Sequence, residues 1–430
     1  MRIIRSGDKN FLQSLAALKR KSEPAPQVEQ TVREIITSIR SRGDAALLEY
    51  TEKFGGPKLK AAQLRVSEKE IAQAEARVPE EVKAAIAASQ LNVHNFAARS
   101  LRKNWSARNQ EGARVGERFD PFQRVGIYVP GGNAPLVSSA VMTVTLAAAA
   151  GVPEIAVATP SDKTGKVNDA LLYALRFCGA TEIYKVGGAQ AIAAISYGTT
   201  SIAPVLKIYG PGNAYVVEAK RQCFGQVAVD LLPGPSEILV IADATGNDAC
   251  IAADLLAQAE HGHGGSVGFV TNSAKLLRNV EKEIARQLKT LSRQDFLAEV
   301  IEKATYLVLV KTMKQAVEIA NDFAPEHLSI VAKDDEKLAA EIRTSGAIFL
   351  GNWSPVAAGD FVAGPSHELP TGGAGKSFPG LTVDQFQRRT SIVRYDQRSL
   401  KKSLPIIEKF CEVEGLDAHA RSAQIRFEAI

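Results

Sequence analysis

Apolar residues change their rhythm along this chain. From about residue 28 to 118 they recur at helical spacing among charged residues, as in the Ala-rich run from Glu68 to Ala88, and strand signals are few. That segment predicts a helical layer. From Val125 onward the pattern becomes short β-branched runs (VGIYVP, EIAVAT, EIYKV, LKIY, VAVD), each followed by helical periodicity. Apolar strands separated by helices predict right-handed βαβ units and a parallel sheet buried on both faces. Pro233-Gly234-Pro235 interrupts the series, and a second block follows it: EILVIAD, SVGFVT, ATYLVLV, LSIV and AIFL.

The ends differ from this middle. Phe11, Leu12, Leu15 and Leu18 are spaced as the buried face of a packing helix, without the unbroken apolar core of a signal peptide. The longest apolar stretch, Val137 to Val152, contains Ser138, Ser139, Thr143 and Thr145 and falls short of the ~20 residues a bilayer span needs. No membrane span is expected. After Gly375 comes a Gly-rich loop and then a helical tail from about Leu400 to Phe427, whose apolar surface is too small to fold alone. It must dock on something. The expected fold is α/β, with two Rossmann-like but incomplete lobes built on parallel sheets, plus an N-terminal helical arm and a C-terminal helical tail. The boundaries read as 1–24 for the arm, 25–124 with 234–380 for a first lobe, 125–233 for a second lobe and 381–430 for the tail.

Composition sharpens this picture. With 430 residues, 45% of them hydrophobic, the chain is long enough for more than one core. Lys and Arg total 52 against 47 Asp and Glu, and the net charge of +5 is interspersed. That suits an anionic cofactor and gives no argument for nucleic acid. The four cysteines, Cys178, Cys223, Cys250 and Cys411, form no CxxC pair, so a reducing cytoplasm is the simplest setting.

Of six histidines, five (His261, His263, His327, His367, His419) lie from residue 261 onward. In DLLAQAEHGHGG, a helix from Asp254 to His261 ending at Gly262 puts Gln258 and His261 on one face of its last turn. An imidazole and an amide oxygen there suit a divalent cation; a histidine that merely favours the helix dipole fits too. His263 reads as loop. Asp360 and His367 fall in GDFVAGPSHELPTGG, too rich in Gly and Pro for regular structure. Asp360 reads either as a carboxylate ligand completing a His, Asp and Gln set or as a turn cap. In FAPEHLSIV, Pro325 should hold Ala324 extended and set Glu326 and His327 at the mouth of a strand. An adjacent carboxyl and imidazole make an acid-base pair or a plain surface step. Glu414 and His419 stand in the tail.

No GxGxxG follows a first strand. Instead Tyr128-Val129-Pro130-Gly131-Gly132, GGAQA (187–191) and GPGNAY (210–215) each end a strand and enter a helix. Such turns offer backbone N–H groups to a phosphate-bearing ligand, or simply make tight βα connections. Gly375-Lys376-Ser377 looks like the end of a P-loop, but its earlier glycine position is Pro370.

Taken in order, YVPGGNAP, VGGAQAIAA, KIYGPGNAYV, GPSEILVIAD, DLLAQAEHG, APEHLSIV, AGDFVAGPSHELPT and EGLDAH resemble the histidinol dehydrogenase family from about residue 25 to the end. The resemblance implies zinc held by Gln258, His261, Asp360 and His419, with Glu326 and His327 as the proton-transfer pair. It places Ser236, Gln258, His261, His327, Asp360, His367, Glu414 and His419 around L-histidinol, and Tyr128, Gln190 and Asn213 against NAD in the 125–233 lobe. It implies a homodimer whose tail crosses to the partner, and a four-electron oxidation of L-histidinol through L-histidinal to L-histidine, the last step of histidine biosynthesis. Leu231-Leu232-Pro233 and Leu206 depart from what members often carry. Two other readings compete: a related zinc- and NAD-linked dehydrogenase of another small amino alcohol or diol, and a nucleotide- or metal-binding module without turnover.

Overall fold

The computed structural model describes residues 1–18, 25–131, 135–262 and 264–428. Gly132 of the first glycine turn, His263, and residues 19–24 of the N-terminal arm lie outside these. The strands in chain order are β1 (Arg2–Arg5), β2 (Trp105–Arg108), β3 (Arg114–Pro121), β4 (Arg124–Tyr128), β5 (Glu154–Ala158), β6 (Glu182–Tyr184) and β7 (Lys207–Tyr209). They continue as β8 (Ala228–Val229), β9 (Glu237–Ala242), β10 (Ser266–Thr271), β11 (Thr305–Leu309), β12 (His327–Val331), β13 (Ala347–Leu350) and β14 (Gln387–Arg394).

Each apolar run read as a strand is one, and they form two parallel sheets. One is ordered β6-β5-β4-β7-β8, the other β1-β11-β10-β9-β12-β13. In both the winding reverses once, between β4 and β7 and between β9 and β12. Those reversals are the switch points where open α/β sheets leave a crevice.

Three placements differ from the sequence expectation. The helical segment after residue 25 packs chiefly on the five-stranded sheet and meets 234–380 where Ser89 Oγ and Asn92 Nδ2 donate to Phe361 O and Val362 O. Helix Pro26–Arg42 inserts Val32, Ile35, Ile36 and Ile39 among Tyr128, Ile192, Ile195 and Ile208. Helices Glu68–Arg77 and Glu80–Ser100 bring Ile71, Ile86, Val93 and Ala97 to Val141, Val144 and Leu172. The cause lies in the crossover helices: Val137–Ala149 is buried continuously over 139–147 and Gly188–Tyr197 over 189–196. A helix that is apolar all round needs a second layer over its outer side.

The N-terminal arm opens with β1, which adds in parallel to β11 and buries Ile4, before the short helix Phe11–Ala16. Four residues carry too little pattern to announce an edge strand. Likewise β2, β3 and β14 form an antiparallel sheet in order β14-β3-β2. Its strands are largely polar and exposed, so no apolar run marked them.

The chain after β13 ties the lobes together. Gln385 O accepts hydrogen bonds from Lys207 Nζ at 3.0 Å and Tyr209 Oη at 2.6 Å. Phe386, fully buried, stacks on Tyr209 with ring centroids 3.9 Å apart. The C-terminal helices Gln397–Glu414 and Asp417–Gln424 pack mainly on each other and leave Phe410 64% and Val413 80% exposed. No helix among the described residues is long and apolar enough to cross a membrane.

Phe386→Ala removes a fully buried ring that stacks on Tyr209. It should lower stability by about 3–5 kcal/mol, read as a fall in urea midpoint; an unchanged midpoint would show that the stack carries no stability.

Candidate active site

The parallel pairing of β9 with β12 sets His327 opposite Ile238, so the residues just before both strands share one edge. Glu326 Oε2 accepts from Ser236 Oγ at 2.5 Å and from Glu237 N at 2.8 Å. Ser236 Oγ in turn accepts from Gln258 Nε2 at 2.8 Å. Glu237, also buried, accepts through Oε1 from Glu326 N at 3.3 Å and Gly372 N at 3.1 Å. One buried carboxylate thereby holds the backbone of another.

Ala324 is not extended. Its φ of 50° and ψ of 64° are left-handed, and its N–H caps helix Met313–Phe323 by bonding Ala320 O at 2.8 Å. Pro325 disfavours a right-handed residue before it, and the helix must reverse into β12 without a linker. A left-handed residue carrying a Cβ costs about 1–2 kcal/mol. Among the described residues Ala324 is the only non-glycine with positive φ, and it lies two residues from Glu326.

The helix bearing Gln258 spans Asp248–Ala259, capped by Asn247, and ends before His261. His261 N bonds Gln258 O at 3.2 Å in a tightened turn that Gly262, φ 104°, terminates. Asp360 lies on a short helix, Val356–Phe361, where the sequence predicted irregular chain. Pro355 opens it, and the buried Val356 anchors it against the six-stranded sheet. His367 follows in the loop, its Nδ1 3.0 Å from Asp360 O and its Nε2 3.3 Å from Ser139 Oγ and 3.4 Å from Glu368 Oε1. Asp360 Oδ1 lies 3.9 Å from His327 Nε2.

The fold thus gathers Ser236, Gln258, His261, Glu326, His327, Asp360 and His367 at the amino ends of β9 and β12. Glu414 and His419 are exposed and line the groove between the two C-terminal helices with Phe410 and Leu416. One chain does not unite them with the others.

Burial sets the charges. It pushes Glu326 up to about 8, against the Ser236 and Glu237 donors, which favour the carboxylate. It pushes His327 down to about 4, partly opposed by Asp360. His327 Nδ1 faces the Glu237 carbonyl at 3.1 Å, and a carbonyl only accepts, so the neutral ring carries its proton on Nδ1. Nε2 is left without a proton. His261 is likewise lowered by desolvation, with Asp360 pulling the other way. For His367, burial opposes protonation but the Glu368 carboxylate outweighs it, and the ring titrates above its ordinary value.

The second feature is a cavity of about 440 Å³ at the carboxyl ends of β4, β6 and β7. Tyr128, Gln190 and Asn213 all line it, with Gly131, Gly187 and Gly188. Tyr128 Oη accepts from Gly188 N at 3.0 Å. Gln190 Oε1 is buried without a hydrogen-bond partner among the described residues. Asn213 Oδ1 caps the following helix through Tyr215 N and Val216 N, which leaves Nδ2 for a ligand.

A glycine-lined cavity on one parallel sheet and a buried carboxyl-imidazole pair on the other are the frame of a two-lobed oxidoreductase. The chain belongs to the histidinol dehydrogenase family, whose model matches residues 18–427. A histidinol dehydrogenase of Geobacillus kaustophilus is 43% identical over 413 residues, 96% of this chain and 97% of that protein. One from Agrobacterium fabrum is 43% identical over 418 residues, 97% of this chain and 96% of the relative. The crystal structure of histidinol dehydrogenase from Elizabethkingia anophelis superposes with a TM-score of 0.95 at 33% identity, covering 100% of this chain and 98% of that one.

Sequence reasoning missed Glu237, Glu368 and Ser139. Glu237 stands inside the quoted GPSE run, beside Ser236, but nothing in the pattern marks a carboxylate that will be only 1% exposed. Ser139 and Glu368 meet through His367 across more than two hundred residues of chain, and no spacing encodes that.

Raised to about 8, Glu326 is largely protonated at neutral pH and becomes a base only above it. Any turnover step that uses its carboxylate should therefore gain rate as pH rises through about 8, and Glu326→Gln should abolish that limb of the pH–rate profile. A limb that persists in the variant would assign it to another group.

Proposed function

We propose that the chain oxidises L-histidinol through L-histidinal to L-histidine, passing two hydrides to NAD at a zinc-supported site that a second copy completes. The observation that carries this is Gln258. Its Nε2 is taken by Ser236, so its Oε1 is left buried and without a partner among the described residues, in the same cluster as His261 and Asp360. An orphaned buried amide oxygen beside an imidazole and a carboxylate fits a cation. Among the described residues no three His, Cys, Asp or Glu side chains form a metal group. Zinc held there would supply a Lewis acid that anchors the substrate's imidazole and amino nitrogens. NAD in the glycine-lined cavity would supply the hydride acceptor.

The chain's own residues move the protons. His327, neutral with Nε2 free, takes the hydroxyl proton as the substrate carbon loses hydride. Glu326, ionised, takes a proton from water as it adds to the aldehyde, while His327 returns its proton to the aldehyde oxygen; neutral again, His327 accepts the next hydroxyl proton as the second hydride leaves. His367 and Glu368 hold the edge of the site toward Ser139 and the nucleotide lobe. No thiol takes part in this scheme: Cys178, Cys223 and Cys411 are buried and Cys250 lies near the far end of the Gln258 helix.

Homodimerisation follows from the same reasoning. Glu414 and His419 stand on a tail whose apolar groove holds Ile406, Phe410 and Leu416 and which packs little on its own chain.

Purified protein loaded with zinc should reduce two NAD per L-histidinol; one NAD with free aldehyde released would overturn the two-step scheme, and turnover only of imidazole-free amino alcohols would overturn the substrate. His327→Asn should lower kcat by about 10²–10⁴-fold with the fold intact by circular dichroism. A chelator should remove activity that zinc restores, with metal content following it by elemental analysis.

A further inference from the structure

The turn from Gly210 to Asn213 leads into one wall of the glycine-lined cavity, which Asn213 and Tyr215 line. Gly210 has φ 105°, and a Cβ there would lie 2.0 Å from Tyr128 O, so the turn lies directly against the end of β4. Beneath it two opposite charges are sealed from solvent. Lys220 on helix Ala214–Cys223 has 0% of its side chain exposed, Asp230 just after β8 has 2%, and the two are ion-paired.

Both grip the same glycine. Gly210 N donates to Asp230 Oδ2 at 2.7 Å, and Lys220 Nζ donates to Gly210 O at 2.9 Å. Desolvating two charges offsets most of their attraction, and a well-packed apolar pair is often as stable. Stability is therefore a weak reason for the pair. Geometry is a stronger one, because charged donors and acceptors fix direction and distance more tightly than neutral ones.

We propose that Lys220 and Asp230 are positioning residues that preset the Gly210–Asn213 turn for the dinucleotide, so that the cofactor meets a wall already formed. The inference rests on reading that cavity as the NAD site. Preorganisation removes an ordering cost that binding would otherwise carry, so the pair acts on cofactor affinity and leaves the histidinol end alone.

Lys220→Met/Asp230→Leu removes both charges at similar volume and leaves both backbone groups of Gly210 unpaired. In calorimetry on the full zinc-loaded chain, the NAD Kd should rise about ten-fold, equivalent to about 1.4 kcal/mol, while L-histidinol affinity without nucleotide stays at the wild-type value. Lys220→Met/Asp230→Asn keeps an acceptor for Gly210 N–H and should recover part of the loss. Wild-type protein that binds no NAD would refute the cavity's assignment and this inference with it. Wild-type binding with an unchanged Kd in the folded Met/Leu variant would refute the positioning role alone. Hydrogen exchange on the wild type needs no variant to fold: a Gly210 amide slow to exchange without nucleotide supports the preset turn, and a fast one slowed only by NAD overturns it.

Discussion

Glu326 is a carboxyl group enclosed by protein at the edge where two parallel strands begin, and much of the site follows from how it is held. Isolated there, an ionised carboxylate would be untenable. Ser236 Oγ–H and the Glu237 N–H make it available as a base at all, and burial keeps it poised near 8. The same Ser236 orients the Gln258 amide, and the same Glu237 supplies the carbonyl that fixes the His327 tautomer and the carboxylate that receives Gly372. Glu326, His327, the Gln258 amide and the loop leading away from His367 therefore share one hydrogen-bonded scaffold.

The two sheets use opposite ends. The glycine turns and their cavity lie past the carboxyl ends of β4, β6 and β7, as the switch-point rule expects. Glu326 and His327 instead stand at the amino end of β12, beside the start of β9, and the Gln258 helix runs back to the same edge. The chain after β13 links the two sheets, since it carries Asp360 and His367 and then lays Gln385 and Phe386 on Lys207 and Tyr209 of the five-stranded sheet. Chemistry on such a frame is decided by the residues placed at the edges, not by the sheets.

Strain and buried charge concentrate at these edges too. Ala324 turns left-handed to feed Glu326 into position, and Lys220 and Asp230 are enclosed beneath Gly210. Ala324 stands two residues from Glu326, and Gly210 three residues from Asn213.

Much was legible in the amino-acid order. Strands such as EILVIA and SVGFVT are apolar without interruption, and only a sheet covered on both faces accommodates that, so two parallel lobes followed from local pattern. The Glu-His step after Pro325 and the glycine turns were visible because their chemistry lies in neighbouring residues. Tertiary structure alone decided which sheet the early helices cover, since their amphipathic faces specify burial but not the partner. It placed β1 and β14 by hydrogen bonds to distant strands, reversed the expectation for Ala324, and put Asp360 on a helix. It also made Glu237 and Glu368 part of the site: a carboxylate's burial, and hence its role, depends on what other segments close over it, and no local pattern carries that information.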